Sequence, residues 1–366
     1  MATICDVAKK AGVSRSTASR VLQDKGYASA KARAAVRRAA KALGYMPDVT
    51  ARNLRLRRSQ TVGILVWDIS NPVGGIAARG VFDACKNEGY HITFGNTYGV
   101  AEEAVALLET FRHNRLAGII AVAPIQAESK LKAVLAAIVS DGIPLVLVDR
   151  AAEWLEVDRV VSDWVKGGEL AVEHLVSLGH ERIAMIAGPR GISSLDDRVE
   201  GYLRTMGKRR LAVFDQYLMR CDFSKAGGKM VMERLLDSPP VPTAVFVAND
   251  LMAVGAIEAC HDRGVKIPKD LSIVGHDDTP YATIVRPELT TVSAPYYDVA
   301  YWCGTRLIAR IRGEQGPRLT ITLEPKLVVR ESTATPKEVT ETVKRRAGTV
   351  REETSTFVQS ALRGTV

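Results

Sequence analysis

Several common chemical signatures are missing from this chain. The segment after the first apolar run, Asp68-Ile69-Ser70-Asn71-Pro72-Val73-Gly74-Gly75, lacks the Gly-x-Gly-x-x-Gly spacing that a dinucleotide pyrophosphate needs, and no P-loop or Gly-x-Ser-x-Gly elbow occurs. The six histidines, His91, His113, His174, His180, His261 and His276, form no His-Glu-x-x-His and meet no Cys-x-x-Cys. We therefore expect no metal, no cofactor and no enzymatic nucleophile. His174 and His180 are expected to serve structure near a helix C-terminus, where imidazole meets free carbonyls. Five cysteines, Cys5, Cys85, Cys221, Cys260 and Cys303, are odd in number and scattered, which suits reduced thiols in a cytoplasm and excludes a disulfide framework. Neither a secretory leader nor a membrane-length apolar run is read in the chain, so a cytoplasmic protein with no membrane partner is expected.

Positive charge is present, and it is unevenly placed. Residues 1–60 carry fourteen basic side chains against three acidic ones, a net +11, whereas residues 61–332 carry 30 basic and 34 acidic groups. The whole chain's +9 thus originates in its N-terminal segment. That head opens with Thr3-Ile-Cys-Asp-Val-Ala, in which Thr3 and Asp6 fit a capping box, and breaks at Gly12. Ser14 caps a second short helix. The apolar positions Val7, Ala8, Ala11, Val13, Ala18, Val21 and Leu22 are small enough to let two helices cross closely. Arg15, Ser16 and Arg20 are left facing outward, as in a helix-turn-helix that offers its second helix to the major groove. An ordinary helical hairpin with a solvated basic face is the alternative. The charge favours duplex DNA, because phosphate neutralisation requires such a head.

Ser29 caps a third helix with the stripe Ala32, Val36, Ala39, Ala40 and Leu43, and Gly44 ends it. Asp48 to Leu56 reads as a helix too short to stand alone in water, which forms only against DNA and a second copy of itself. Beyond it, apolar runs at Thr61–Trp67, His91–Phe94, Ala117–Ala123, Ile143–Val148, Arg182–Ala187, Thr243–Val247 and Ser272–Val274 alternate with amphipathic helical stretches. Such alternation predicts parallel sheets covered on both faces. About 270 residues exceed one core, so two α/β halves are expected, divided near Val161 to Asp163. Asp68, Asp149 with Arg150, Asp163, Asn249 and Asp277 stand at or just after strand ends, where ligands of open α/β sheets bind. For Asp68, Asp149 and Asp250, capping of the next helix is an equal alternative.

The blocks Thr-Ile-x-Asp-Val-Ala, Ala-Gly-Val-Ser, Thr-x-Ser-Arg-Val-Leu, Leu-Gly-Tyr-x-Pro and Ala-Arg-x-Leu-Arg resemble those of the lactose-repressor (LacI/GalR) family of bacterial transcription regulators. The likeness continues through Asp68-Ile-Ser-Asn-Pro72, Asp149-Arg150, Leu178-Gly-His180, Glu200-Gly-Tyr202, Ala248-Asn-Asp-Leu-Met-Ala253, Val274-Gly-His-Asp-Asp278 and Leu289-Thr-Thr-Val292, over roughly nine-tenths of the chain. It implies a helix-turn-helix head (1–46), a hinge (47–60) and a two-lobed unit like a periplasmic sugar-binding protein (61–332). The chain would cross between lobes near Ser162, Ser293 and Leu323. One lobe would hold about 61–161 and 294–322, the other 163–292 and 324–332.

It further implies that Thr3, Ser14, Arg15, Ser16, Thr17, Arg20, Tyr27, Arg52, Leu54 and Arg55 meet DNA, with Leu54 wedged into the minor groove or, alternatively, packed against the lobe. Arg198, Asn249 and Asp277 would bind a small polar effector on which Phe223 stacks, with Asp68, Asp149, Arg150, Asp163 and Trp164 also in the cleft. A local ion pair of Arg198 with Asp196, Asp197 or Glu200 is the plainer reading. Three departures point to a reshaped pocket: Trp164 where an amide is usual, Val73-Gly74 in place of two aromatics, and His276 for an aromatic. The tail, 333–366, keeps no heptad and is expected to be disordered or frayed, which leaves homodimerisation to the lobes.

Overall fold

The computed structural model describes residues 2–22, 24, 26–45, 59–122, 129–148 and 154–337. The chain forms two compact units, divided between Ser59 and Gln60. The head holds α1 (Ile4–Ala11), α2 (Arg15–Leu22) and α3 (Ala30–Ala42). Thr3 and Asp6 close the capping box reciprocally: the Thr3 backbone N–H donates to Asp6 Oδ2 at 2.8 Å, and the Asp6 N–H donates to Thr3 Oγ1 at 3.3 Å. Gly12 turns the chain out of α1 at φ +67°, a conformation that glycine adopts freely. Val7, Ala8, Ala18, Val21, Val36, Ala39 and Ala40 are buried together, and their small volume lets three short helices form one core. The marginal helix read at 48–56 lies outside the described residues.

The second unit contains two six-stranded sheets. In chain order its first half runs β1 (Thr61–Val66), α4 (Pro72–Lys86), β2 (His91–Asn96), α5 (Ala101–His113), β3 (Gly118–Ala121), α6 (Ser129–Ser140), β4 (Leu145–Leu147) and β5 (Asp158–Ser162). The second half runs α7 (Trp164–Ser177), β6 (Ile183–Ala187), α8 (Ser193–Lys208), β7 (Leu218–Arg220), α9 (Lys225–Asp237), β8 (Ala244–Val247), α10 (Asp250–Asp262), β9 (Ser272–Asp277), α11 (Tyr281–Ile284) and β10 (Thr290–Ser293). The chain then returns through α12 (Tyr296–Ile311), β11 (Thr320–Leu323) and β12 (Lys326–Val328).

The sheet orders are β11-β5-β4-β3-β1-β2 and β12-β10-β9-β8-β6-β7. Pairing is parallel except between β10 and β12. The chain therefore passes between lobes after β5, after β10 and after β11. Strands such as Thr61–Val66 and Ile183–Ala187 are almost wholly buried, because helices cover both faces of each sheet.

Glycines set how closely the helices of the second lobe approach. A Cβ on Gly201 of α8 would lie 2.2 Å from the Val165 carbonyl oxygen, and one on Gly168 of α7 would lie 2.4 Å from that of Arg198. That near-contact of backbones fixes the position from which Arg198 projects. At the far edge, His180 is 2% exposed and bonds Thr243 Oγ1 at 2.9 Å, Ser272 Oγ at 3.1 Å and the Ala334 carbonyl at 2.9 Å. His174 Nε2 meets Thr333 Oγ1 at 2.9 Å. These side chains hold Thr333 and Ala334 on the second lobe, so order extends past the point where the composition of the tail changes.

Candidate functional site

Between the lobes lies a cavity of about 130 Å³. The first lobe contributes Val66, Trp67 and Asp68 from the end of β1, and Asn71, Val73 and Gly74 from the start of α4. Val122 and Val148 follow β3 and β4. Opposite them stand Trp164, Ile192, Ser194, Leu195, Arg198, Phe223 and Asp277, and Tyr296 at the start of α12 completes the wall. The strand ends deliver these groups because loops at the carboxyl edge of a parallel sheet all open in one direction.

At its base, Arg198 (2% exposed) and Asp277 (5% exposed) touch directly, with Nη2 3.1 Å from Oδ1. Arg198 Nη2 also donates to Tyr296 Oη at 3.0 Å, and Nη1 donates to the Ala248 carbonyl. Asp277 Oδ1 accepts the Tyr296 hydroxyl at 2.6 Å and His276 Nδ1 at 3.0 Å. Trp164 lies under the guanidinium, 4.8 Å from ring centroid to carbon, a cation–π contact out of water. Burial alone would raise the Asp277 carboxyl, but Arg198, His276 and Tyr296 together hold it below the usual carboxylate range. Burial, then the charge of Arg198, pushes His276 down to about 4. His276 is thus neutral near pH 7, with its proton on Nδ1, since a carboxylate only accepts. Its Nε2 faces Gly167, where a Cβ would lie 2.7 Å away. Asp277 itself sits at φ +111°, a backbone strain of the sort that clusters at binding sites.

The cavity wall includes Asp68, Trp164, Arg198, Phe223 and Asp277 from the sequence-read set. Asp163 instead caps α7, accepting the Lys166 N–H at 2.9 Å. Asn249 caps α10, accepting the Met252 N–H at 2.7 Å; its Nδ2 has no hydrogen-bond partner among the described residues. Neither of these two lines the cavity. Asp149 and Arg150 lie outside the described residues. Trp67 and Tyr296 were not read from the sequence; Trp67 ends an apolar run and Tyr296 opens an amphipathic helix, so both pass for core.

Asp250 supports the base from behind. Its carboxylate accepts the Thr279 N–H at 2.7 Å, the Thr279 hydroxyl at 3.0 Å and the Thr291 hydroxyl at 2.6 Å. Burial first, and the charge of Asp277 second, pushes its carboxyl up to about 7. An ordinary unfolded Asp titrates near 3.9, so this group favours the fold most at low pH, and that contribution is lost as pH rises through 7. His276 has the opposite sign, gaining stability as pH rises from its folded value of about 4 through the unfolded 6.5. The two slopes oppose one another below 6.5. Asp250→Asn is expected to remove only the first, so the variant's stability relative to the native chain should climb by roughly 2.5 kcal/mol between pH 5 and 8 in urea titrations. A pH-independent difference would mean that Asp250 is ionised throughout.

On the head, Ser14 Oγ accepts the Thr17 N–H at 3.1 Å and lies 2.9 Å from both Ser16 Oγ and Thr17 Oγ1. Arg15 and Ser16 are exposed at the N-terminus of α2, and Tyr27 is 85% exposed. Thr3 is engaged in the α1 cap. Arg20 is exposed but folded back on its own unit, donating to the Ser16 and Tyr27 carbonyls at 3.4 Å. Arg52, Leu54 and Arg55 lie outside the described residues. Among the described residues no helix is long and apolar enough to cross a membrane.

Comparison with known proteins places these features. Residues 3–48 match the family described as bacterial regulatory proteins, lacI family, and residues 172–333 match a periplasmic binding protein-like domain. The ribose operon repressor of Haemophilus influenzae is 32% identical over 332 residues, covering 91% of this chain and 98% of that one. A Lac repressor dimer solved with operator and the anti-inducer ONPF aligns over 91% of this chain and 99% of its own, at 27% identity and a TM-score of 0.82. A LacI family regulator from Enterococcus faecium solved with bound ribose covers 76% of this chain and 100% of its own, at 28% identity and a TM-score of 0.67. The chain belongs to the lacI family of bacterial regulatory proteins.

Proposed function

We propose that this chain is a sequence-specific transcription regulator acting as a repressor. Two copies bind a pseudo-palindromic operator through their heads, and a small polar, sugar-like molecule in the cleft changes operator affinity. The single observation that carries the reading is the pairing, in one chain, of a strongly basic helix-turn-helix with a two-lobed unit whose cleft is built on a buried Arg198–Asp277 centre. Relatives named as repressors, and the ribose-bound neighbour, support it. In this reading the protein works in the cytoplasm without catalysis, and 47–60 is the hinge. An effector couples to DNA only by contacting two lobe arrangements unequally, so lobe movement has to change the separation of the two hinges across the homodimer.

Thr3, Ser14, Arg15, Ser16, Thr17, Arg20 and Tyr27 form the proposed groove surface, joined by Arg52, Leu54 and Arg55, with Leu54 as the minor-groove wedge. Selection of operators from random duplex libraries should yield a two-fold consensus. Arg15→Ala should then relax preference at particular base pairs, at a cost of about 1 to 3 kcal/mol for a bidentate contact. Equal weakening on every sequence would make Arg15 a phosphate contact. A library without any consensus would reject the regulator reading.

A further inference from the structure

The reading above gives the effector as a small polar, sugar-like molecule, and the walls of the cleft point to a flatter and less hydroxylated one. Aromatic residues make up 6% of this chain, yet Trp67, Trp164, Phe223 and Tyr296 all line this one cavity. Trp67 and Phe223 approach from opposite lobes to 6.3 Å between ring centroids. The rest of the apolar wall is aliphatic, with Val66, Val73, Val122 and Val148 from the first lobe and Ile192 and Leu195 from the second.

Most of the polar groups at the wall are already engaged; the exceptions are Arg198 Nε, buried at the base with no hydrogen-bond partner among the described residues, and the Ser194 hydroxyl. Arg198, Asp277 and Tyr296 bond one another. Asn71 Oδ1 accepts the Val73 N–H at 3.0 Å, and Asp68 accepts the Ser70 N–H and hydroxyl at 2.9 and 2.8 Å. A polyol has hydroxyls on every edge, and each one buried against valine or leucine loses its water without replacement. Charge points the same way. The guanidinium is offset by the Asp277 carboxylate, and Asp68 adds a second acid to the wall, so nothing offsets the burial of an anionic ligand.

From these walls we infer that the effector is an uncharged, planar ring compound whose polar atoms are confined to one edge. The ring lies against Trp67 and Phe223, and the polar edge addresses the Asp277–Tyr296 base. A cavity of about 130 Å³ fits one such ring or a compact bicycle. This rests on the reading of the cleft as the effector site, and the experiment separates the two.

Saturation-transfer NMR on the full-length protein would compare three probes: benzamide, an uncharged ring with one polar edge; benzoate, the same outline with a charge; and ribose, a polyol. Benzamide is expected to bind saturably and about tenfold or more tighter than either other probe. Trp67→Ala and Phe223→Ala should each weaken it several-fold. Failure of benzamide to bind, binding no tighter than ribose or benzoate, or binding unmoved by both substitutions overturns the inference. If ribose binds and shifts operator affinity while benzamide does not bind, the regulatory reading stands and the ring inference falls. If benzamide occupies the cleft, with its affinity reduced by the two substitutions, the ring inference stands; the regulatory reading fails separately, on an operator selection that yields no consensus.

Discussion

Asp277→Ala is expected to lower folding stability by about 3 to 5 kcal/mol, the typical cost of leaving one partner of a buried ion pair uncompensated. The reason is local and specific. Arg198 is buried, and without Asp277 its remaining partners are the Ala248 carbonyl, the Tyr296 hydroxyl and the face of Trp164. None of these carries a negative charge. The same substitution should abolish the response to effector, yet DNA binding by the head should survive wherever the protein remains folded. Urea denaturation monitored by tryptophan fluorescence checks the first point, and operator titration below the unfolding transition checks the second. A double variant, Arg198→Met with Asp277→Leu, removes both charges at once and should recover most of the lost stability while leaving effector response absent. A loss below about 1 kcal/mol for Asp277→Ala would show that water already reaches the pair, as in an exposed ion pair.

How much of this centre could be read beforehand follows from the residues themselves. Strands such as Thr61–Val66 and Ile183–Ala187 announce themselves, because burial on both faces demands continuous apolar runs. Strands β5, β10 and β11, read as Asp158-Arg-Val-Val-Ser, Thr290-Thr-Val-Ser and Thr320-Ile-Thr-Leu, carry too much polarity for that signal. Their identity comes from neighbours: Asp158 accepts from Arg306, Arg310 and the Leu319 N–H, contacts far away in sequence. The site divides in the same manner. Arg198 and Asp277 were legible through their type and motif, but the hydroxyl joining them belongs to Tyr296, which a sequence shows only as one more aromatic in an amphipathic helix. Asn249 has a side chain fit for ligand binding, and the structure gives its oxygen to the cap of α10. A capping geometry and a ligand contact use the same residue types, so composition alone leaves the two readings equal.

The head supports the second large expectation, a steep dependence of operator affinity on salt. Its net +11 is not all free to meet phosphate, because Asp24 already holds Arg37 at 2.9 Å and Arg33 at 3.3 Å. Lys9, Lys10, Arg15, Lys31, Arg38 and Lys41 form no ion pair among the described residues. Two heads on one operator can therefore neutralise phosphates in the range of six to ten, even when some of these side chains face away. Each neutralised phosphate releases condensed counterion, so the logarithm of affinity should fall with the logarithm of salt at a slope of about −5 to −9. Between about 50 and 200 mM monovalent salt, operator affinity is expected to drop by about 10³-fold or more. Fluorescence anisotropy on a labelled operator over that range measures the slope directly. Lys31→Ala and Arg38→Ala, away from the proposed groove surface, should each make the slope shallower by about 2, one contact in each head, where they touch phosphate, and leave base preference unaltered. A slope shallower than about −2 would mean that the positive head is a solvated face rather than a phosphate-binding one.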